Sequence, residues 1–210
     1  MEARPLTTCN LAAAATLTAE AFQGTPSYKA IVPDDHKRNA FLRWLFERNY
    51  WLRLDSQSGY CVFEGEDLVM FYMLEKPDLP RLSLWDMICA GLPAGYVLHG
   101  PGAMRRLLET KAWFEMKERE VLGDRAGTVA RLERVTVTPG RQGQGVGSAA
   151  LRSALREADL QGLAVVLGTQ EERNVRFYRR LGFEVISDDE CPLGGGYRNW
   201  MMLREPTAVN

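Results

Sequence analysis

The stretch Gln142-Gly143-Gln144-Gly145-Val146-Gly147 sets three alternating glycines between a strand-like segment and a helix-like one. Glycine tolerates positive φ and lets a ligand come close to the backbone, which a side chain would prevent. A helix N-terminus presents unpaired N–H groups and a partial positive charge, so a turn of this kind can receive a phosphate. Arg141, Arg152, Arg173, Arg176 and Arg179 lie near it in sequence and could neutralise a multiply charged nucleotide. Two familiar phosphate loops do not fit. A P-loop closes on Gly-Lys-Ser/Thr, whereas Gly147-Ser148-Ala149 has no lysine. The dinucleotide fingerprint requires G-x-G-x-x-G, and from Gly143 the register gives Gly143, Gly145 and then Ser148. The alternative to a phosphate site is a tight strand–helix turn that holds nothing.

The flanking pattern supplies the elements that must hold this turn. Leu132 to Val137 reads as a strand broken by Pro139-Gly140. The helix after the turn carries Leu151, Ala154, Leu155 and Ala158 on one face and stops near Gly162. Leu163 to Leu167 is a continuous apolar run, the mark of a strand buried on both faces. A helix over Asn174 to Leu181 should end at Gly182 in a left-handed cap, with strands at Phe183 to Ile186 and Trp200 to Leu203. Strand, turn, helix, strand, helix, strand implies an α/β layer architecture with at least one parallel pairing.

The N-terminal part reads as a short strand over Ala3 to Thr7, with Pro5 near an edge, and then a helix capped by Asn10. A second helix should begin near Pro33-Asp34-Asp35, with Phe41, Trp44 and Leu45 as its buried stripe. Tyr60 to Glu64 and Leu68 to Leu74, separated by Gly65-Glu66-Asp67, give a hairpin signal. Between Pro77 and Gly127 the pattern is looser, apart from one long, heavily charged helix over Met104 to Val121.

The chain of 210 residues suits one well-cored domain. With 26 basic and 27 acidic residues its formal net charge is −1, which argues against wholesale nucleic-acid binding. Cys9, Cys61, Cys89 and Cys191 are widely spaced, a pattern that suits neither a disulfide scaffold nor a zinc site, so a reduced, cytoplasmic chain with no metal is expected. No apolar run is long enough to span a bilayer, and Thr16, Thr18 and Glu20 interrupt the one stretch, Leu11 to Phe22, that resembles a signal-peptide core. His36 and His99 are read as exposed or merely satisfied. The aromatics Trp44, Tyr50, Trp51, Trp85 and Trp113 receive no role.

Two further sets of residues go with the glycine turn. Val135-Thr136-Val137-Thr138-Pro139 precedes Gln142-x-x-Gly145-x-Gly147, and Asn174 precedes Phe177-Tyr178-x-x-Leu181-Gly182-Phe183. In this order and at this separation, Leu132 to Phe183 resembles the GNAT superfamily of acyl-CoA N-acyltransferases. Arg4-Pro5-Leu6-Thr7 and the helix after it look like that family's first strand and helix. The resemblance implies a twisted, largely antiparallel central sheet with one splayed parallel strand pair, flanked by helices. It leaves residues 77–127 as an insertion within a single domain over 1–205, with 206–210 a short tail.

The same resemblance implies roles. The turn, Gln142, Gly143, Gln144, Gly145, Val146, Gly147 and Ser148, would bind the pyrophosphate of acetyl-CoA. Val135, Thr136 and Val137 would offer backbone groups to the pantetheine arm, with an N–H near Val137 facing the developing oxyanion. Asn174 would contact the arm from the other side, and Tyr178 would protonate the departing sulfur. Glu133, placed by period-two alternation on the face of Val135 and Val137, is a candidate base; the alternative is a solvated strand-end glutamate. The expected reaction acetylates a primary amine of a small molecule, by a monomer or homodimer, without nucleic acid or membrane. A protein N-terminus or lysine as acceptor, or a CoA-binding sensor without catalysis, are the competing readings.

Overall fold

A computed structural model describes residues 1–208 of the chain. Seven strands form one sheet: β1 (Glu2–Pro5), β2 (Gly59–Glu64), β3 (Asp67–Glu75), β4 (Ala130–Val137), β5 (Val165–Thr169), β6 (Glu184–Cys191) and β7 (Tyr197–Arg204). Their order is β1-β2-β3-β4-β5-β7-β6, and all neighbours run antiparallel except β4 and β5. Seven helices accompany them: α1 (Thr8–Phe22), α2 (Pro26–Ile31), α3 (Asp35–Trp51), α4 (Leu84–Cys89), α5 (Leu92–Leu122), α6 (Val146–Leu160) and α7 (Glu172–Arg179). This is the mixed α/β sheet with one parallel pair that the resemblance implied.

Strand alternation divides the interior into two cores. Along β3, Phe71 and Met73 point toward α1, α3 and α5, where they meet Phe41, Phe46, Tyr50 and Met104. Met70 and Tyr72 point the other way and pack with Val146, Leu151 and Leu155 of α6 and Val175 and Tyr178 of α7. Because both faces of β3 are covered, the strand reads as an almost unbroken apolar run. Phe71 is fully buried with its ring 4.6 Å from that of Tyr50, and truncation to alanine would cost about 3–5 kcal/mol.

Local chemistry sets the element ends. Asp34 accepts hydrogen bonds from the His36 and Lys37 amides at 2.9 and 3.2 Å, which starts α3 where the Pro-Asp-Asp signal put it. Asn10 does not cap α1. The helix begins earlier, at Thr8, and Asn10 lies in its first turn, where its Oδ1 accepts from the Thr7 amide at 2.7 Å. The six-residue α2 carries too short a period to be seen in the sequence, and α5 begins well before Met104. A break at Gly100 (φ +82°) followed by Pro101 separates the residues 92–99 from the long charged part. Gly182 (φ +88°) ends α7 in the expected left-handed cap, its amide donating to Arg179 O at 3.1 Å. Edge strand β6 carries Asp188, Asp189 and Glu190, charges that discourage pairing with another chain. At the far end of the sheet Arg204 grips Asp159 of α6 with two bonds of 2.7 Å.

The 77–127 segment connects two neighbouring central strands, β3 and β4, through α4 and α5. No described helix is long and apolar enough to cross a membrane.

Candidate active site

The parallel pair β4–β5 is joined only at Ala130↔Val165 and Arg131↔Val166, after which the strands diverge. A bulge then re-aims β4. Phe71 faces Thr136 while Met73 faces Glu133, so β4 spends one extra residue, and Arg134 adopts φ +54°. Hydrogen bonds confirm the change of phase. The Ala130 amide donates toward β5, to Ala164 O at 2.8 Å, whereas the Thr138 amide donates toward β3, to Val69 O at 2.9 Å. An unbroken strand would point both to the same side. Beyond the bulge, therefore, the backbone groups of Val135 and Val137 face the gap, and those of Thr136 face β3. The Thr136 hydroxyl is also engaged, donating to Arg134 O at 3.1 Å.

At the end of β4 the glycine turn opens α6. Gly143 (φ +76°) and Gly145 (φ +83°) hold conformations that a side chain resists, and a Cβ on either would project into open space. Gly147 serves packing instead: its Cβ would meet Val137 Cγ2 at 3.3 Å. The amides of Gly143 through Ser148 have no acceptor within the described protein, so six consecutive N–H groups are free at a helix N-terminus. Gln142 does not belong to that set. Its amide donates to Pro139 O at 3.3 Å, and its side chain donates to Val137 O at 3.0 Å. It braces the turn and uses up the Val137 carbonyl, leaving the Val137 N–H open toward the gap.

Tyr178 is buried against Phe177 and Phe183, with ring centroids 5.1 and 5.7 Å away, and its hydroxyl makes no hydrogen bond among the described residues. Burial pushes its phenol well above the usual tyrosine range, so it keeps its proton. Asn174 donates to Thr169 Oγ1 at 3.3 Å on the β5 side of the gap. Of the arginines near the turn in sequence, Arg141 and Arg173 line the cavity, joined by Arg180. Arg141 is paired with Glu64 and Arg173 with Glu171, while Arg176 pairs with Glu172 on the surface.

A cavity of about 760 Å³ runs from the free amides, past Val135, Val137, Asn174 and Tyr178, through the gap and out toward α2, α3 and α5. Glu133 lines it, though not where alternation from Val135 and Val137 put it. The bulge moves Glu133 to the opposite face, across from Met73. There it pairs with Arg134. Burial alone would raise its carboxyl, but Arg134, Arg81 and Arg131 outweigh burial and hold it below the ordinary glutamate value.

Around Glu133 lies a charged wall that sequence reasoning missed. Glu75 sits between Arg53 (3.0 Å) and Arg131 (3.4 Å), with side-chain exposures of 7–8% for Glu75 and Arg53 and 6% for Arg131. Burial, then the charge of Glu133, raises the Glu75 carboxyl, and the arginines only partly offset this. Arg53 and Arg131 also donate to Pro80 O and Leu79 O, which fixes the start of the β3–β4 connection. From that connection Arg81 reaches Glu118 of α5, and Lys111 pairs with Glu115. One signal was available: Glu75 ends an apolar strand, and Arg131, Glu133 and Arg134 interrupt another, where solvated charges would be out of place. Neither histidine lines the cavity. His36 is exposed, and His99 packs against Phe41 and Trp44. Among the described residues no group of acidic, histidine or cysteine side chains could hold a metal ion.

The site is thus a sheet split between a parallel pair, with free amides at the following helix and a phenol in the gap. Residues 104–185 match the family model described as the acetyltransferase (GNAT) domain. The match begins at Met104, inside the segment that the sequence resemblance left out. Solved structures agree on the fold. The chain is similar to a histone acetyltransferase HPA2 and related acetyltransferase from Corynebacterium glutamicum (19% identity, 99% of this chain and 97% of that one, TM-score 0.63). It is also similar to the PaiA N-acetyltransferase from Thermoplasma acidophilum, solved with coenzyme A (15%, 97% and 98%, 0.57). A third is the ribosomal-protein-S18-alanine N-acetyltransferase from Escherichia coli (13%, 100% and 96%, 0.54). The residues present suit acetyl-CoA: six unpaired amides for its pyrophosphate and an open strand edge for its amide-bearing arm.

Proposed function

We propose that the protein transfers the acetyl group of acetyl-CoA to a primary amine of a small molecule by direct attack, with Tyr178 as general acid. One observation carries this reading: the cavity joins Gly143, Gly145, Val146, Gly147 and Ser148 of the turn, Tyr178 and Glu133 through the gap in the sheet. Acetyl-CoA supplies an activated acyl carbon when bound. The uncharged amine attacks that carbon, so a C–N bond forms as the C–S bond breaks. The Val137 N–H, facing the gap, stabilises the negative charge that develops on the carbonyl oxygen. The Tyr178 phenol gives its proton to the departing sulfur. Glu133, ionised at neutral pH, takes the proton shed by nitrogen and passes it to water; its lowered basicity suits a relay better than a strong base.

Val135 and Val137, facing the gap, hold the pantetheine arm from the β4 side and Asn174 from the β5 side, with the turn receiving the pyrophosphate. Thr136 and Gln142 act one step removed, as braces of the strand and the turn. We read residues 77–127 as an insertion in a single domain that closes the acceptor arm, since Leu107, Thr110, Lys111, Phe114 and Glu118 of α5 line it. A small-molecule acceptor fits this walled arm better than a protein chain. The four described cysteines are all free, which supports a reducing, cytoplasmic setting. The test is thiol release from acetyl-CoA across a panel of small amines and N-terminal or lysine peptides. Transfer to small amines supports the reading; transfer to peptides alone replaces its acceptor, and CoA binding with no transfer to any amine makes the protein a sensor.

A further inference from the structure

We infer that the acceptor amine also bears an acid group, as an amino acid does, and is not a polyamine. The inference rests on the proposed acyl transfer and concerns the wall of the acceptor arm. Five cations, Arg53, Arg81, Lys111, Arg131 and Arg134, line that arm. Four carboxylates, Glu75, Glu115, Glu118 and Glu133, stand among them. Every carboxylate is already matched: Glu75 by Arg53 and Arg131, Glu115 by Lys111, Glu118 by Arg81, and Glu133 by Arg134. No acidic group is left over for a second ammonium, and the wall keeps one positive charge in excess.

Charge matching then discriminates between amines. The reactive form of an amino acid, with neutral nitrogen and ionised carboxyl, carries one negative charge and neutralises that excess. The reactive form of a polyamine still carries positive charge and is repelled. Arg134 provides the geometry. Its guanidinium has five donors and no acceptor; one nitrogen bonds Glu133, and the buried Nε has no partner. The bulge and the Phe46 ring, 5.5 Å from the guanidinium carbon, hold the group on the acceptor face. Tyr28 lines the same arm, and its hydroxyl makes no hydrogen bond among the described residues. A planar guanidinium fork with a neighbouring phenol is a donor set suited to a carboxylate.

The experiment measures binding of amines to the protein saturated with CoA, by calorimetry, alongside thiol release from acetyl-CoA. The panel pairs common α-amino acids with their decarboxylated amines and includes spermidine. The expected result is that at least one acid-bearing amine binds about tenfold or more tighter than its decarboxylated partner, and that spermidine binds weakly. Arg134→Lys should shrink this preference by about tenfold through loss of the bidentate fork, with CoA affinity unchanged. Tyr28→Phe, which leaves the ion pairs intact, should shrink it a few-fold. The inference is overturned if no acid-bearing amine binds, if decarboxylated partners bind equally well throughout, or if spermidine binds best. Selective binding of acid-bearing amines without thiol release would uphold it and defeat acyl transfer, so the two failures are distinguishable.

Discussion

The cofactor arm and the acceptor arm meet at the gap between β4 and β5, and they are made of different materials. The cofactor arm is backbone: free amides of the turn, N–H groups of a diverging strand, and glycines that keep side chains out of the way. The acceptor arm is side chain: paired ions from the segment after α3, from β3, β4, the connection before α4 and α5, gathered from widely separated parts of the sequence. A backbone site recognises what every acyl-CoA shares and depends on a few conformations. A side-chain site can be rewritten one residue at a time, which is how a common scaffold serves many acceptors.

Substitutions on the two arms should therefore separate cleanly. The largest effect is expected for Gly145→Val. It forces a β-branched residue to φ +83° and projects its Cβ into space that no protein atom occupies within 4 Å, and should weaken CoA binding by about a hundredfold or more in calorimetry. Wild-type affinity would show that the cradle is not backbone-built. Next, Tyr178→Phe should lower kcat by about ten- to a thousandfold while CoA binding changes little. Because burial raises the phenol, wild-type kcat should also show no falling limb near pH 10, where an ordinary tyrosine ionises. A limb there would mean that the phenol is solvated. On the acceptor side, Arg81→Met removes the partner of Glu118 and should raise amine KM by about tenfold without touching CoA affinity. A parallel loss of CoA binding would mean that the arms are not independent.

The smallest kinetic effect belongs to Asp159→Asn, remote from both arms, which should leave KM and kcat as they are. Its cost lies in stability. Bonds from Arg204, then Thr207, hold the Asp159 carboxyl down to about 2 in the folded protein. The group thus stabilises the fold fully above its unfolded value near 4, and this contribution fades as pH falls toward 2. Denaturant melts should show a loss of about 2 kcal/mol at neutral pH for the variant, and a flatter acid dependence between about pH 4 and 2. An unchanged acid slope would rule out the clamp as a source of stability.

The same contrast explains what the sequence made legible. Alternating glycines, a strand before and a helix after are local signals, so the turn, α6, β5 and the cap at Gly182 could be read from residue spacing. Period-two alternation, however, assumes an unbroken strand. One residue in a left-handed conformation, Arg134, shifted Glu133 to the other face of β4, and arginine is not a residue whose type announces a bulge. Gln142 was drawn into the cradle by proximity, although its amide and side chain both turn inward. The ion-pair wall was invisible because its members come from segments far apart in the chain: Arg53 after α3, Glu75 on β3, Arg131, Glu133 and Arg134 on β4, and two pairs from the 77–127 connection. Their positions in apolar strands hinted at burial, but not at which charges would meet.

The narrow seam between β4 and β5 bears on how the molecule breathes. Only two residue pairs stitch β1–β4 to β5–β7 there, so beyond Arg131 the edge of β4 is held by no rung to β5. Deuterium should enter the Val135 and Val137 amides early in the free protein and late once the seam is bridged by a bound thioester or its thiol product. On the proposed reading the co-substrate would double as the missing rung of the sheet, so that occupancy and rigidity would rise together.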